Sequence, residues 1–160
     1  MNRLFCILGI AAAALSSVTA AAARPTPRPP EDGAGKFMTT IVREKLASRY
    51  DLAWETLYPA HQRVATREAY VGCESLIRSP GKVAAVRVMR VFRERIWVAG
   101  ESRKLMTKAV RVRVIVIAPY VPFPVVVAQT FHALRVDGRW RWILSPEQWA
   151  YYSAGTCPNA

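Results

Sequence analysis

The stretch that decides the fold is "TFHALRVDGRWRWILSPEQWAYYSAGTC", residues 130–157. Two runs of alternating apolar and polar residues are joined in it by Asp137-Gly138. This dipeptide is the strongest short-range signal for a β-hairpin, because both central residues of a type I′ turn need positive φ. The stretch therefore predicts a tight antiparallel hairpin near the end of the chain.

The Asp-Gly turn also fixes which residues of the two strands face each other. We expect Trp140 opposite Arg135 and Trp142 opposite Ala133, since directly opposed residues share one face of a sheet. The mostly apolar and aromatic face would carry Phe131, Ala133, Arg135, Trp140, Trp142 and Leu144. The other face would carry His132, Leu134, Val136, Arg139, Arg141 and Ile143. We expect the first face to be the core face, covered by helices.

A helix is predicted directly after the hairpin. Ser145 can cap its N-terminus, Pro146 suits its first position and Gln148 completes a capping box. Gly155 is expected to end this helix. The chain would then return Cys157 toward the helices that precede the sheet.

Three helices are predicted upstream of the sheet. The first starts at Lys36, where apolar residues begin to recur at intervals of four. In the second, "DLAWETLYP", Asp51 is expected to cap the start and Pro59 to stop the helix. The third covers residues 66–73, with Thr66 as its N-cap.

The segment between the helices and residue 144 alternates or is rich in β-branched residues, which predicts four strands. They cover about residues 83–98, 104–118, 125–136 and 139–144. The predicted fold class is therefore α+β, with N-terminal helices on one face of a four-stranded antiparallel sheet and a short C-terminal helix.

The N-terminus has the pattern of a secretory signal peptide. Arg3 precedes an apolar run, and small residues offer cleavage points between Ala20 and Ala23. Residues 1–23 are therefore predicted to be cleaved after export. The alternative is an uncleaved anchor, because the run is just long enough to cross a bilayer. Residues 24–35, rich in Pro and then Gly, are predicted to form an extended tether.

The predicted signal peptide determines which cysteines remain in the mature protein. Cleavage removes Cys6 and leaves Cys73 and Cys157. In an oxidising compartment an even number of cysteines usually means a bridge, so a disulfide between these two is expected. The alternative is a pair of free thiols. No cluster of cysteines and histidines has the spacing of a metal site, and no metal or other cofactor is expected.

Helices followed by a long antiparallel sheet that ends in "GRWRWIL" resemble the nuclear transport factor 2-like superfamily, in particular its small secreted bacterial members. The most telling segments are "AWETLYPAHQ", "YVGC" and "FHALRVDGRWRWILSPEQ". The resemblance implies a single domain over residues 36–160. It also implies a curved sheet whose concave face holds the helices, which gives a cone-shaped molecule.

The open end of such a cone holds a ligand pocket, an active site or only packed side chains. The candidate cavity residues are Trp54, Tyr58, Tyr70, Trp140 and Trp142. Enzymes of the isomerase or dehydratase type place proton-transfer groups inside the cone, yet the hairpin register points His132 away from it. His61 is predicted to lie on a surface loop. No Ser-His-Asp set, G-x-S-x-G motif or phosphate loop is present in the sequence.

The chain is strongly basic. It has 23 Lys and Arg residues against 11 Asp and Glu, a formal net charge of +12, and 18 of the 23 are arginine. Arginines alternate with Val and Ile along the predicted strands, and period-two spacing places them on one face. The candidate basic face consists of Arg87, Arg111, Arg113, Arg139 and Arg141. The alternative interpretation is a solubilising surface.

The connection "VIVIAPYVPFPVVVA", residues 114–128, is apolar throughout, although hairpin tips are normally polar. Tyr120, Val121 and Phe123 are the candidate apolar hairpin tip. Three prolines stiffen it, so it would lose little entropy on docking. The alternative is a tip that folds back on its own helices.

Together these observations favour a secreted, non-catalytic binding module of the cell envelope or exterior. The expected partners are an anionic envelope polymer, a lipid surface or another protein, and no nucleic-acid motif is present. Two alternatives stay open. One is a cone enzyme using Tyr58, Tyr70 or a register-shifted His132, and the other is a structural domain that forms a homodimer through its outer sheet face.

Overall fold

The protein is described by a computed structural model over residues 33–77, 81–119 and 121–158. The predicted signal peptide, residues 24–32 of the predicted tether and Tyr120 of the predicted hairpin tip lie outside the described residues. The described part is an α+β fold, with helices before the strands and a short helix after them. This order confirms the predicted fold class.

Four helices lead into the sheet and one helix follows it. The first four are α1 (Gly33–Leu46), α2 (Tyr50–Glu55), α3 (Pro59–Val64) and α4 (Arg67–Ser75). The strands are β1 (Lys82–Trp97), β2 (Lys104–Ile117), β3 (Val125–Val136) and β4 (Arg139–Trp142). The last helix is α5 (Pro146–Ser153).

The strands form one antiparallel sheet in the order β1-β2-β3-β4. Asp137 and Gly138 have positive φ values of 49° and 76°, as the predicted hairpin turn requires. Trp142 lies opposite Ala133, and the predicted register of the hairpin is therefore confirmed. Strand β4 ends at Trp142, two residues earlier than expected.

The helices cover the predicted face of the sheet. Met38 on α1 is fully buried, and so are Val110 and Val112 on β2. Ala133 and Trp142 of the hairpin belong to the same apolar cluster. The large side chains of α1 and of the sheet therefore fill the space between the two layers.

Trp142 joins the sheet to the helices. Its indole Nε1 donates a hydrogen bond to the carbonyl of Ala53 in α2, at 2.7 Å. Its backbone forms an isolated parallel bridge with Leu57, in which the N–H of Tyr58 donates to the carbonyl of Trp142 at 2.8 Å. The short β4 thus has β3 on one side and the α2–α3 connection on the other.

Several helix boundaries differ from the predictions. Helix α1 begins at Gly33 rather than Lys36, and Gly35 is already buried, against Val88 and Val91. Asp51 lies in the first turn of α2 and is not its cap, because the N-cap position falls on Arg49. A negative charge in the first turn still interacts favourably with the helix dipole.

Pro59 starts a helix instead of ending one. It occupies the first turn of α3, whose first residues need no hydrogen-bonding N–H. The sequence predicts that Pro59 is a helix stop followed by a surface loop, and the predicted loop is wrong. As a result His61 lies on a helix and is fully buried.

The capping predictions for the other two helices are confirmed. Thr66 caps α4 by accepting a hydrogen bond from the N–H of Ala69. Ser145 and Gln148 form a capping box at the start of α5. Beyond α5, Cys157 is joined to Cys73 of α4, with their Cα atoms 5.1 Å apart.

Replacing both Cys73 and Cys157 by serine is predicted to lower the free energy of unfolding by about 4 kcal/mol. The bridge spans 84 residues of sequence, so its loss restores much conformational freedom to the unfolded chain. Urea unfolding of the two proteins under non-reducing conditions measures the difference. Wild-type protein treated with a reductant serves as the control and should approach the variant. Equal stabilities of wild type and variant would contradict the prediction.

Candidate functional site

Four arginines form two neighbouring cross-strand pairs on the outer face of the sheet. Arg87 lies opposite Arg113, and Arg90 lies opposite Arg111. They alternate with Val112, which is buried on the core face, so their side chains are directed away from the helices. All four are exposed. We call these four residues the arginine patch.

Arg90 was missed by the sequence interpretation. Strict alternation along β1 would place it on the core face together with Val88. The register shifts between Val88 and Arg90, and this irregularity turns Arg90 outward instead. A bulge of this kind leaves no local sequence signal in "RVMRVF" beyond the unfavourable prospect of burying an arginine.

The arginine patch keeps its positive charge: the Arg90 guanidinium lies over the Phe92 ring, 5.0 Å from its centroid, a contact that adds no negative charge. Within the described residues none of its guanidinium groups forms an ion pair with a carboxylate. The acid nearest to the patch along the outer face of β1, Glu94, is hydrogen-bonded to His132 at 3.0 Å. Like charges directly opposite each other on neighbouring strands destabilise a sheet. The patch therefore attracts anions.

Two of the predicted basic-face residues lie elsewhere. Arg139 is exposed but sits on β4 opposite Val136, toward the other end of the sheet. Arg141 is half-buried, and its Nη1 donates to the carbonyl of Glu55 at the end of α2, at 2.6 Å. The basic face predicted from sequence thus divides into the arginine patch and two separate residues, one of which has a structural role.

The connection between β2 and β3 is exposed and apolar. Phe123 is 66% exposed, and Ile117 and Val126 at the adjoining strand ends are 51% and 54% exposed. Val121 is half-buried, and its N–H donates to the carbonyl of Ala118 at 3.3 Å. We call Ile117, Val121, Phe123 and Val126 the apolar tip.

Beside the apolar tip, one edge of β3 has no neighbouring strand in the part of the chain that the structure describes. Strand β4 pairs only with residues 133–136 of β3. Residues 125–130 are all exposed and include three consecutive valines. An unpaired apolar strand edge presents backbone groups that can pair with another chain.

The five candidate cavity residues do not line one space. Tyr70 and Trp142 are buried inside the main core, and Trp54 and Trp140 are partly buried at its margin. Tyr58 belongs to a second apolar cluster. Burial raises the pKa of the Tyr70 hydroxyl far above its usual value, and this hydroxyl has no hydrogen-bond partner among the described residues. These residues act as packing groups rather than as the wall of a shared pocket.

The second apolar cluster lies on the face that was predicted to point outward. It contains Leu134 and Ile143, both 7% exposed, together with Val98 after β1. That part of the hairpin face is therefore buried, because Tyr58 and the strand ends fold over it. The same face still carries His132 outside the core, with its side chain 25% exposed, as the predicted register requires.

His61 is a buried structural group. Its Nδ1 accepts a hydrogen bond from the N–H of Leu144 at 2.9 Å, and its Nε2 lies 3.1 Å from the carbonyl of Ala99. These partners define the neutral tautomer with the proton on Nε2, which donates to Ala99. Burial lowers the pKa of His61 to about 4. The ring ties α3 to the β1–β2 turn and to the segment after β4.

Tyr58 supports the same region. Its hydroxyl donates a hydrogen bond to the carboxylate of Glu101 in the β1–β2 turn. Burial, helped by the neighbouring Glu101 charge, raises the pKa of Tyr58 to about 12. The phenol therefore stays protonated at physiological pH and works as a donor, not as a general base.

A shallow open groove of about 320 Å³ lies where the end of α1 meets the start of β1. Its walls are Arg43, Leu46, Ala47, Val83, Ala84, Ala85 and Val86. A single charged side chain takes part, and no carboxylate, histidine or cysteine lines it. The groove offers a small apolar depression but no group for catalysis or metal binding.

Among the described residues no group of three or more His, Cys, Asp or Glu side chains is arranged to hold a metal ion. No helix in this part of the chain is long and apolar enough to cross a membrane. A scan against protein-family models finds no match, and a search of curated proteins finds no similar sequence. The arginine patch and the adjoining apolar tip are therefore the basis for a functional assignment.

Lowering the pH from 6.5 to 4 is predicted to reduce the free energy of unfolding through His61. Its pKa falls from 6.5 in the unfolded chain to about 4 in the fold, so in this window the unfolded state binds the proton more readily. The contribution is complete above pH 6.5 and decreases by up to about 3 kcal/mol as the pH approaches 4.

The measurement is urea unfolding at several pH values for wild type and His61→Gln. Carboxylates contribute to the acid dependence of both proteins, so the difference between the two curves isolates the histidine. Identical pH dependence in the two proteins would contradict the assignment of a neutral buried ring.

Proposed function

We propose that this protein is an exported, non-catalytic binding module whose ligand is anionic. The observation that carries the proposal is the arginine patch, in which two pairs of like charges face each other with no ion-paired carboxylate in the described part of the chain. Such an arrangement is destabilising in isolation, and it becomes favourable once an anion bridges the pairs.

The geometry of the arginine patch supports this function. Guanidinium groups are planar donors that bind phosphate, sulfate and carboxylate groups in a bidentate manner. Neighbouring residues on an extended strand that share a face are about 7 Å apart. Two rows of paired arginines can therefore engage several anionic groups of one ligand, and the net charge of +12 adds a long-range attraction.

The proposed location follows from the N-terminal sequence. A cleaved signal peptide over residues 1–23 would bring the domain to the cell envelope or exterior, where a disulfide between Cys73 and Cys157 is stable. Anionic wall polymers, lipid headgroups and acidic proteins are the polyanions found there. The kinship with the nuclear transport factor 2-like superfamily is part of the same proposal and rests on helices that precede a sheet ending in "GRWRWIL".

The arginine patch also argues against one alternative function. A homodimer formed through the outer sheet faces would bring two patches into contact. Eight guanidinium groups would then be opposed, and Glu94, the acid nearest to them along the outer face of β1, is already hydrogen-bonded to His132. Like-charge juxtaposition across an interface costs several kcal/mol, so binding of an anion is the better explanation of this surface.

Binding to heparin, a soluble sulfated polysaccharide, tests the proposal. The double variant Arg87→Gln and Arg113→Gln should elute from a heparin column at clearly lower salt than wild type. The slope of the logarithm of the binding constant against the logarithm of salt concentration should fall by roughly one for each arginine removed. The measurement is affinity at several salt concentrations.

The matched control is the double variant Arg93→Gln and Arg95→Gln. Both residues are exposed on β1 but lie opposite Lys108 and Met106, on the other face. It removes the same charge and should bind much as wild type does. If the two variants lose affinity equally, binding depends on net charge alone and the arginine patch is not the site.

Export is tested by the mass of the protein recovered from the envelope or the medium. A chain that begins within residues 21–24 is expected, because the cleavage points lie between Ala20 and Ala23. Recovery of the uncut chain in the membrane fraction would show that residues 1–23 form an anchor and not a cleaved signal peptide. Recovery in the cytoplasm would remove the proposed location altogether.

A further inference from the structure

We infer that the β2–β3 hairpin docks on an anionic lipid surface, with the apolar tip in the bilayer interface and the arginine patch at the headgroups. This inference deepens the proposed function and rests on it, because it names the anion as the headgroup layer. It follows from the position of the apolar tip relative to the arginine patch along the same two strands.

The two surfaces are spaced as a bilayer interface requires. On β2, Ile115 and Ile117 follow Arg113 on the same outer face, two and four residues further toward the tip. At about 3.4 Å per residue they lie roughly 7 and 14 Å beyond the arginine. Interfacial elements bury their apolar side chains about 5–10 Å into the boundary between headgroups and acyl chains. Strands inclined to the membrane plane would place both isoleucines within this depth and the arginines at the phosphates.

The end of the hairpin is apolar on both faces. Val126 faces outward, in register with Ile115, and is 54% exposed. Val127 belongs to the core side by register, yet it is 48% exposed because the helices do not extend over it. A ligand that approached from one side would leave the other face in water, whereas immersion in a lipid interface removes both faces from water.

The chemistry of the tip suits a medium with little water. No charged residue occurs between Arg113 and His132. Pro119, Pro122 and Pro124 have no backbone N–H to desolvate, and the N–H of Val121 is bonded to Ala118. Lys82 lies opposite Ile117 at the start of β1 and is exposed. Its long side chain can extend back to the headgroups.

A lipid surface explains features that a dissolved polyanion does not. A polymer would satisfy the arginine patch but would leave Phe123 in water. A second copy of the chain could cover the tip, yet pairing through the neighbouring outer faces would oppose the arginine patches. A partner with an anionic layer over an apolar layer matches both surfaces in the order in which they occur.

The experiment is co-sedimentation of the exported protein, as the cell processes it, with phosphatidylcholine vesicles that contain or lack phosphatidylglycerol. Binding is expected only with the anionic lipid and should weaken steeply with salt. Phe123→Asp should reduce vesicle affinity about tenfold or more, and its elution from heparin should remain that of wild type. Arg87→Gln with Arg113→Gln should weaken both, by about fivefold per arginine on vesicles.

Trp97→Asp is the matched control for the aspartate substitution. It removes an aromatic residue that is 61% exposed at the opposite end of the sheet, and it should leave vesicle binding unchanged. Phe123→Trp keeps the tip apolar and reports depth directly. Lipids brominated in their acyl chains should quench its fluorescence more strongly than that of wild type, whose five tryptophans lie elsewhere.

The outcomes distinguish the lipid inference from the proposed function. If wild type binds heparin through the arginine patch but does not bind anionic vesicles, the lipid inference fails and the proposed function stands. The lipid inference also fails if Phe123→Asp binds vesicles as wild type does, or if Phe123→Trp is not quenched. A wild-type dimer that Phe123→Asp converts to a monomer would assign the tip to self-association. Wild-type protein that binds neither heparin nor anionic vesicles would overturn both proposals.

Discussion

The placement of Trp142 is the constraint on which the rest of this structure depends. Its ring is 2% exposed in the core, its indole N–H is bonded to Ala53, and its backbone bridges Leu57. The Asp137-Gly138 turn determines that this residue faces inward, since a shift of one residue would exchange the two faces of β4. An inverted Trp142 would leave a buried space and would direct Arg141 into the apolar core. The sheet and the helices are thus assembled through one short strand.

His61 closes the same end of the sheet from the other side. Its two ring nitrogens connect the β1–β2 turn to the backbone after β4, and Tyr58 adds a hydrogen bond to Glu101. Trp142 and His61 both act at the end where β4 is present, and among the described residues no comparable side-chain hydrogen bond anchors the opposite end of β2 and β3. That end consists of two strands and part of β1, and it carries the apolar tip. The distribution of stabilising contacts therefore explains why the tip projects from the fold.

Local chemistry determined which features could be predicted from sequence. The Asp-Gly turn, the Thr66 cap and the Ser145 capping box each depend on residues within a few positions, and all three are confirmed. Pro59 was misinterpreted because the same residue ends one helix or begins the next, and only tertiary packing decides between them. Arg90 joined the arginine patch through a register shift, which involves two strands at once. The sequence predicts Arg141 on the basic face because its partner, the carbonyl of Glu55, is 86 residues away and leaves no local signal.

The arginine patch and the unpaired edge of β3 are both unfavourable for an isolated domain. Opposed guanidinium groups weaken β1–β2 pairing, and residues 125–130 expose an apolar edge with none of the lysines that commonly protect such strands. The fold tolerates them because the Cys73–Cys157 bridge and the contacts of Trp142 stabilise it elsewhere. Prolines at both ends of the apolar tip limit how far strand pairing with other chains can extend. Destabilising features confined to one end of a well-anchored domain are typical of a surface retained for binding.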